Sequence, residues 1–247
     1  MSFVSACCNT PPVEADYKPA GETSTKDNVE YYFAGEKGNK IGIVFCYDIF
    51  GFHPNSLQVA DILGRSGFRV IMPDFLRGDP ITAEKMSNGT WIPEFMANRA
   101  AWEHNKDIFR TAVEILRTEG VESVGAVGFC WGAKLVMSAL TEESEKFLGT
   151  SVKSGVLIHP SALEKKDFEN AAGPILLLPT KDEPDFTESF AIAKAKPFGE
   201  TSYMERFDSQ IHGFCAARGD FSKPEVSGDV NKAIQMTVGF FKKTLLA

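Results

Sequence analysis

The chain has 247 residues, 43% of them hydrophobic, and its 26 basic and 33 acidic residues leave a net charge of −7. This length and hydrophobic content suit one large α/β domain. The mildly acidic balance argues against nucleic acid or an anionic membrane as the main partner, because such partners are bound by clustered basic residues. The longest hydrophobic runs are strand-sized, so no membrane span is predicted. No feature indicates a particular oligomeric state.

The first residues are polar and rich in proline, which predicts an extended N-terminal arm over residues 1–25 and a single domain over residues 26–247. The opening segment lacks a basic stretch followed by a long apolar run, so it is not typical of a signal peptide. Five scattered cysteines then indicate reduced thiols and a cytoplasmic or nuclear location. Cys7 and Cys8 are adjacent, but no matching Cys or His ligands accompany them, and no metal site is predicted.

Hydrophobic runs and helical patterns alternate along the chain. The runs predict strands at residues 30–34, 41–47, 68–72, 124–129, 156–159, 175–178 and 201–207. The helical patterns cover residues 56–65 (with Ser56 as N-cap), 95–116, 132–140, 186–195 and 230–246, and residues 76–93 are rich in turns. This alternation predicts an α/β fold with a mostly parallel central sheet and helices on both faces.

The strongest chemical signal is the pentapeptide Gly-Phe-Cys-Trp-Gly at residues 128–132. It follows a hydrophobic run and precedes a helical pattern, which is the strand–turn–helix context of the G-x-S-x-G nucleophile elbow, with Cys130 in place of serine. The glycines suit a strained, crowded turn. The following helix would favour the thiolate through its positive end. The alternative is a buried structural cysteine beside glycines that serve helix packing.

A cysteine nucleophile needs a base, and the base needs an orienting acid. In a chain with this elbow the order is nucleophile, acid, histidine. Of the four histidines, only His159 and His212 follow Cys130. His212 lies in a loop before the last helix and is the predicted base. His159, at the end of a predicted strand, is the alternative base or else a hydrogen-bonded histidine near the sheet edge.

The orienting acid is expected after a strand that lies between the nucleophile and the histidine. Three acidic residues follow the run at 175–178: Asp182, Glu183 and Asp185. Asp182 comes first and is the predicted acid. Asp185 fits the N-cap of the next helix, and Glu183 is expected to be a solvated neighbour.

Five segments carry a resemblance to a known family: YDIFGF (47–52), FRVIMPDFLRGDP (68–80), GFCWG (128–132), PTKDEP (179–184) and HGFCAARGD (212–220). On these the sequence resembles the dienelactone hydrolase family, in its fungal branch. The resemblance implies an α/β-hydrolase fold and a Cys-His-Asp triad. By matching motifs, it assigns Cys130 as nucleophile, His212 as base and Asp182 as acid, with no metal or organic cofactor.

The resemblance also implies an acidic residue in contact with the resting thiol. Asp48 holds that position, where bacterial members have glutamate, and the alternative is an aspartate that only caps its own loop. The backbone N–H groups of Trp131 and Ile49 would form the oxyanion hole.

Bacterial members of this family bind a substrate carboxylate with two arginines. Arg218, six residues after His212, is the nearest candidate for one of them. The second has no clear counterpart, and Arg77 and Arg99 are its weaker candidates. This difference puts dienelactone itself in doubt as the substrate.

These residues predict hydrolysis of a small-molecule ester, lactone or thioester through an acyl-enzyme intermediate. Two alternatives stay open at this point. One is a binding or regulatory protein that retains the fold without turnover, because fold alone does not establish activity. The other is a redox sensor that uses Cys130, with Cys46 or Cys215 as the resolving cysteine.

Overall fold

The computed structural model describes residues 10–87 and 91–246. Within them the strands form one eight-stranded sheet in the order β1-β2-β4-β3-β5-β6-β7-β8. β1 pairs antiparallel with β2, and β2 pairs antiparallel with β4, whereas the pairs from β4 to β8 are parallel. The strands are β1 (Glu22–Lys26), β2 (Val29–Ala34), β3 (Ile41–Cys46), β4 (Arg69–Pro73), β5 (Ser123–Phe129), β6 (Val152–Ile158), β7 (Ile175–Leu178) and β8 (Tyr203–Met204).

Helices cover both faces of this sheet. They are α1 (Pro54–Arg65), α2 (Ala83–Ser87), α3 (Trp91–Asn98), α4 (Trp102–Thr118), α5 (Gly132–Ala139), α6 (Glu142–Leu148), α7 (Lys165–Asn170), α8 (Thr187–Lys194) and α9 (Pro224–Leu245). α1 and α9 pack together on one face, and α4 and α5 pack together on the other. Successive strand residues point to opposite faces of the sheet. Gly42 faces Leu116 of α4 on one side, and Gly125 faces Phe241 of α9 on the other. The predicted layered α/β architecture is confirmed.

The sequence pattern explains why these elements form. Every residue of β3 is buried, as expected for a central parallel strand covered on both faces. In α9, Val230, Ala233, Ile234, Thr237 and Phe241 are buried at spacings of three and four, which places one stripe of the helix against the sheet. No helix in the part of the chain that the structure describes combines the length and apolar character needed to cross a membrane.

Three predicted helices differ from the structure in extent. Helix α9 begins at Pro224 rather than at residue 230, and the other two differ through side-chain hydrogen bonds. The helix expected over residues 95–116 is divided into α3 and α4, and the Asn105 side-chain amide donates hydrogen bonds to the carbonyls of Arg99 (2.6 Å) and Ala101 (2.9 Å) at the break. Helix α1 begins before the predicted cap Ser56. Its N-cap is His53, whose Nδ1 accepts a hydrogen bond from the backbone N–H of Asn55. Side-chain capping of the backbone therefore decided both boundaries.

Other differences concern short elements. The turn-rich region at residues 76–93 contains α2 and the start of α3, and two further helices, α6 and α7, were not predicted. The strand expected over residues 201–207 is shorter in the structure, where β8 at the edge of the sheet has two residues. Short edge elements carry few periodic positions, so their hydrophobic pattern is weak.

The N-terminal arm is shorter than predicted, because β1 begins at Glu22. Residues 10–20 have no regular secondary structure and lie against the domain. The Tyr17 hydroxyl donates to Asp61 (2.7 Å), and the Val13 N–H donates to the carbonyl of Ala217 (2.9 Å). Cys7 and Cys8 lie outside the described residues.

Candidate active site

Cys130 occupies a strained turn between β5 and α5. Its φ is +55°, in the left-handed region that L-residues rarely adopt. A Cβ atom on Gly132 would lie 2.1 Å from the carbonyl oxygen of Cys46, and one on Gly128 would lie 2.5 Å from the carbonyl oxygen of Gly132. Both contacts are with backbone atoms that cannot swing aside. Only glycine fits at these two positions, as the elbow pattern predicts.

The end of β3 lies beside this turn. Cys46 of β3 pairs with Gly128 of β5, so Asp48 and Cys130 each stand two residues beyond a paired position on neighbouring parallel strands. Both residues are fully buried. The register therefore brings the loop after β3 and the elbow to the same carboxyl edge of the sheet, where ligands bind in folds of this type.

The backbone N–H groups of Trp131 and Ile49, the predicted oxyanion hole, belong to this edge, and that role stays a prediction. Within residues 10–87 and 91–246, neither the Trp131 nor the Ile49 N–H donates a hydrogen bond to another group. The Trp131 indole donates to the carbonyl of Ala100 (3.0 Å) and meets the ring of Phe95 edge-on at 5.0 Å. This packing fixes the residue that follows Cys130.

His212 is held by a carboxylate. Its Nδ1 lies 2.6 Å from an Oε atom of Glu183, and both side chains are fully buried. The Glu183 carboxylate also accepts a hydrogen bond from the backbone N–H of Thr180. Because a carboxylate partner accepts, Nδ1 carries the proton and Nε2 is left as the basic atom. This is the arrangement that an acid-oriented general base requires.

The prediction that Asp182 contacts the imidazole is wrong in the structure, and Glu183 takes that place. Asp182 is partly exposed and accepts a hydrogen bond from the backbone N–H of His212 (2.8 Å). The turn after β7 directs Glu183 inwards and Asp182 along the loop that carries His212. The expectation that Glu183 is solvated is therefore also wrong. Asp185 is exposed and accepts from the N–H of Thr187 (2.8 Å), close to its predicted capping role.

His159 lies beside the same residues. It follows β6 with φ +37°, and its N–H donates to the carbonyl of Leu178 (2.8 Å). Its ring centroid is 5.1 Å from that of His212 and 5.8 Å from that of Phe129. It is fully buried, and neither ring nitrogen has a hydrogen-bond partner among the described residues. The expected hydrogen-bonded histidine near the sheet edge is therefore not what the structure contains.

A sequence model of the dienelactone hydrolase family matches residues 29–245, most of the chain. The chain belongs to the dienelactone hydrolase family. An uncharacterized AIM2 family protein of Schizosaccharomyces pombe is 29% identical over 96% of this chain and 98% of its own. A Homo sapiens carboxymethylenebutenolidase homolog is 24% identical over 81% of each chain.

A solved structure agrees with the family assignment at the level of the fold. The dienelactone hydrolase-like promiscuous phosphotriesterase from metagenomic libraries superposes with a TM-score of 0.66 over 92% of this chain and 98% of its own, at 17% identity. The fold is thus the α/β-hydrolase fold, and the chain is a hydrolase-family protein, as the sequence predicted.

In this dienelactone hydrolase-family chain, Asp48 joins two loops of the site. One oxygen accepts from the N–H of Phe50 (2.9 Å) and the other from the N–H of Ala217 (3.3 Å), in the loop after His212. Burial raises the pKa of the Asp48 carboxyl, while these hydrogen bonds and nearby Arg218 act in the opposite direction. The Phe50 contact matches the loop-capping alternative, and the predicted role towards the thiol stays a prediction.

Arg218 is buried against the N-terminal arm. Its Nε donates to the carbonyl of Thr10 (2.5 Å), and its guanidinium lies 4.8 Å from the ring centroid of Phe50. The weaker candidates bond elsewhere in the protein: Arg77 to the carbonyl of His104 (2.6 Å) and Arg99 to Asp79 (2.8 Å). Of the three arginines, only Arg218 neighbours the site residues.

The other described cysteines are free and buried. Burial raises the pKa of Cys46 well above its ordinary value and that of Cys215 to about 12. Neither thiol is therefore ionised near neutral pH, which disfavours both as resolving residues. Among the described residues, no group of three or more His, Cys, Asp or Glu side chains could hold a metal ion.

Proposed function

We propose that this dienelactone hydrolase-family protein hydrolyses a small carboxylic ester, thioester or lactone, with Cys130 as nucleophile, His212 as base and Glu183 as orienting acid. One observation carries the proposal. A cysteine in the left-handed conformation stands between β5 and α5, and a buried imidazole–carboxylate pair with a 2.6 Å contact stands at the same edge of the sheet. A cysteine that serves only packing does not need a strained turn. It also does not need a nearby histidine that is paired with a buried carboxylate.

The proposed reaction has two acyl-transfer steps. Nε2 of His212 takes the thiol proton of Cys130, and the sulfur attacks the substrate carbonyl carbon to form a tetrahedral intermediate. The N–H groups of Trp131 and Ile49 stabilise the oxyanion. The carbon–oxygen or carbon–sulfur bond of the leaving group then breaks, and His212 returns the proton to that group.

Water completes the cycle. His212 takes a proton from water, the hydroxyl attacks the thioester carbonyl of the acyl-enzyme, and the thiol and the carboxylic acid are released. In both steps Glu183 stabilises the imidazolium and keeps Nδ1 protonated.

The burial of the reacting residues supports a small substrate. Cys130 and His212 are at most 1% exposed, and such buried reacting groups favour a compact acyl group. The name of the human relative, carboxymethylenebutenolidase homolog, favours a lactone within this class. The free thiols also fit the proposed cytoplasmic or nuclear location.

A hydrolysis assay on the purified full chain tests this function. Butyrate esters and thioesters and an unsaturated lactone are the substrates, and the variants are Cys130→Ala, His212→Ala and Cys215→Ala. We expect the first two to lower kcat/KM by about a thousandfold or more, while Cys215→Ala, which removes another buried thiol, retains most activity. A folded Cys130→Ala protein that keeps more than about a tenth of the wild-type kcat/KM would refute the assignment.

A further inference from the structure

His159 is a polar side chain that the proposed mechanism does not use. Its imidazole is fully buried, and both ring nitrogens are without a hydrogen-bond partner among residues 10–87 and 91–246. Leaving a buried polar group without a hydrogen bond destabilises the folded protein. Buried polar groups in native proteins are nearly always paired, so such an exception needs an explanation.

The position of His159 ties it to the nucleophile. The N–H of Cys130 donates to the carbonyl of Ile158 (3.2 Å), and the carbonyl of Cys130 accepts from the N–H of Ser161 (2.9 Å). The backbone of Cys130 is thus hydrogen-bonded to Ile158, which precedes His159, and to Ser161, which follows it by two residues. On its other side, the His159 ring meets the ring of His212 edge-on at 5.1 Å. The imidazole is therefore next to the ring of the proposed base and on a residue that flanks the backbone of the proposed nucleophile.

We propose that His159 is a substrate-binding residue, whose imidazole hydrogen-bonds a hydroxyl group next to the scissile carbonyl group. This inference rests on the proposed hydrolase function and names a substrate class within it. A substrate whose carbonyl carbon reaches Cys130 would place the group next to that carbonyl near His159, because His159 lies between the two residues that hydrogen-bond the Cys130 backbone. One nitrogen then donates or accepts a hydrogen bond that the protein leaves unmade.

The charge state of the ring selects the kind of group. Burial, and then the neighbouring His212 and Arg218, hold the pKa of His159 well below its usual value, so the ring is neutral at pH 7. A neutral imidazole has one donor and one acceptor and matches a hydroxyl better than a carboxylate. A His212 imidazolium formed during turnover also disfavours a second positive charge at this distance.

Matched esters test the inference. p-Nitrophenyl butyrate is compared with the 2-hydroxy- and 3-hydroxybutyrate esters, using the wild type, His159→Leu and His159→Gln. We expect the wild type to prefer at least one hydroxy ester. His159→Leu should lower kcat/KM for that ester by about tenfold or more, and for butyrate by less than about threefold. His159→Gln, which keeps a donor and an acceptor, should restore part of the loss.

Two controls separate a binding role from a structural one. Thermal unfolding should show that both variants fold, and alkylation of Cys130 by iodoacetamide should proceed at the wild-type rate, because the triad is intact. Equal losses on all three esters in His159→Leu would overturn the inference and indicate packing. A wild type that hydrolyses butyrate with no preference for either hydroxy ester would overturn it without any variant. Absence of turnover on every ester would overturn the hydrolase proposal, and this inference with it.

Discussion

At the scale of single residues, the contact between His212 and Glu183 supports Glu183, rather than Asp182, as the acid of the proposed triad. Asp182 and Glu183 are neighbours in the sequence, yet one bonds the backbone N–H of His212 and the other its imidazole. Only the second contact is made by the imidazole itself, which is the group that becomes charged in the proposed reaction. The two residues therefore form a matched pair for mutation.

We expect Glu183→Gln to lower kcat by about a hundredfold or more, because a neutral amide stabilises the imidazolium poorly and does not fix its tautomer. Asp182→Asn keeps an oxygen for the His212 N–H and should cost less than about tenfold. Steady-state kinetics on one ester compares them. The opposite order of losses would return the role of acid to Asp182.

Asp48 provides a second test at this scale. If its carboxylate disfavours the Cys130 thiolate by charge repulsion, Asp48→Asn should accelerate alkylation of Cys130 by iodoacetamide near neutral pH. The asparagine still accepts from the N–H of Phe50, so the loop cap is kept. Phe50→Leu serves as a control that alters the loop without altering its charge. Unchanged alkylation in a folded Asp48→Asn protein would leave Asp48 with the capping role alone.

At the scale of elements, the elbow depends on close contact between backbones. A Cβ on Gly132 would lie 2.1 Å from the carbonyl oxygen of Cys46, so the turn would have to move away from β3. Gly239 in α9 has open space around the same built atom. Replacement by alanine is therefore expected to change the free energy of unfolding in opposite directions at these two positions.

We expect Gly132→Ala to lower the free energy of unfolding by about 1–3 kcal/mol or more and to reduce activity, because Cys130 shifts with the turn. Gly239→Ala should raise the free energy of unfolding by about 0.5–1 kcal/mol through helix propensity. Urea unfolding followed by circular dichroism measures both. A Gly132→Ala protein as stable and active as the wild type would contradict the crowding at the elbow.

At the scale of the whole molecule, burial of an imidazole makes stability depend on pH. The pKa of His159 in the folded protein lies well below its ordinary value, mainly because of burial. As the pH falls through about 6.5, the unfolded chain takes up a proton at this residue and the folded protein does not. The contribution of His159 to stability is thus present above this pH and is lost as the pH falls below it.

We expect the free energy of unfolding of the wild type to fall between pH 7 and pH 5.5, with His159 contributing up to about 1.4 kcal/mol per pH unit. In His159→Leu this slope should be smaller by that contribution. His104, which is exposed, supplies the control, and His104→Gln should keep the wild-type slope. Identical slopes in all three proteins would show that His159 takes up its proton equally in both states.

The sequence by itself was sufficient for the layered α/β architecture, the elbow and the histidine in the loop before α9. These features follow from local rules: continuous hydrophobic runs for buried parallel strands, glycines where backbones touch, and chain order for the histidine proposed as the base. Periodicity also located α9, because one stripe of a long helix must face the sheet.

Only the tertiary structure decided the rest. The choice between Asp182 and Glu183 depends on how the turn after β7 meets the loop that carries His212, and neighbouring residues in a turn have no periodic pattern. The break between α3 and α4 depends on hydrogen bonds from Asn105. The burial of His159 beside His212 joins residues more than fifty positions apart, and its missing hydrogen bonds become visible only when every neighbour is in place. Such long-range contacts are set by packing of the whole sheet edge, which no local segment of the sequence specifies.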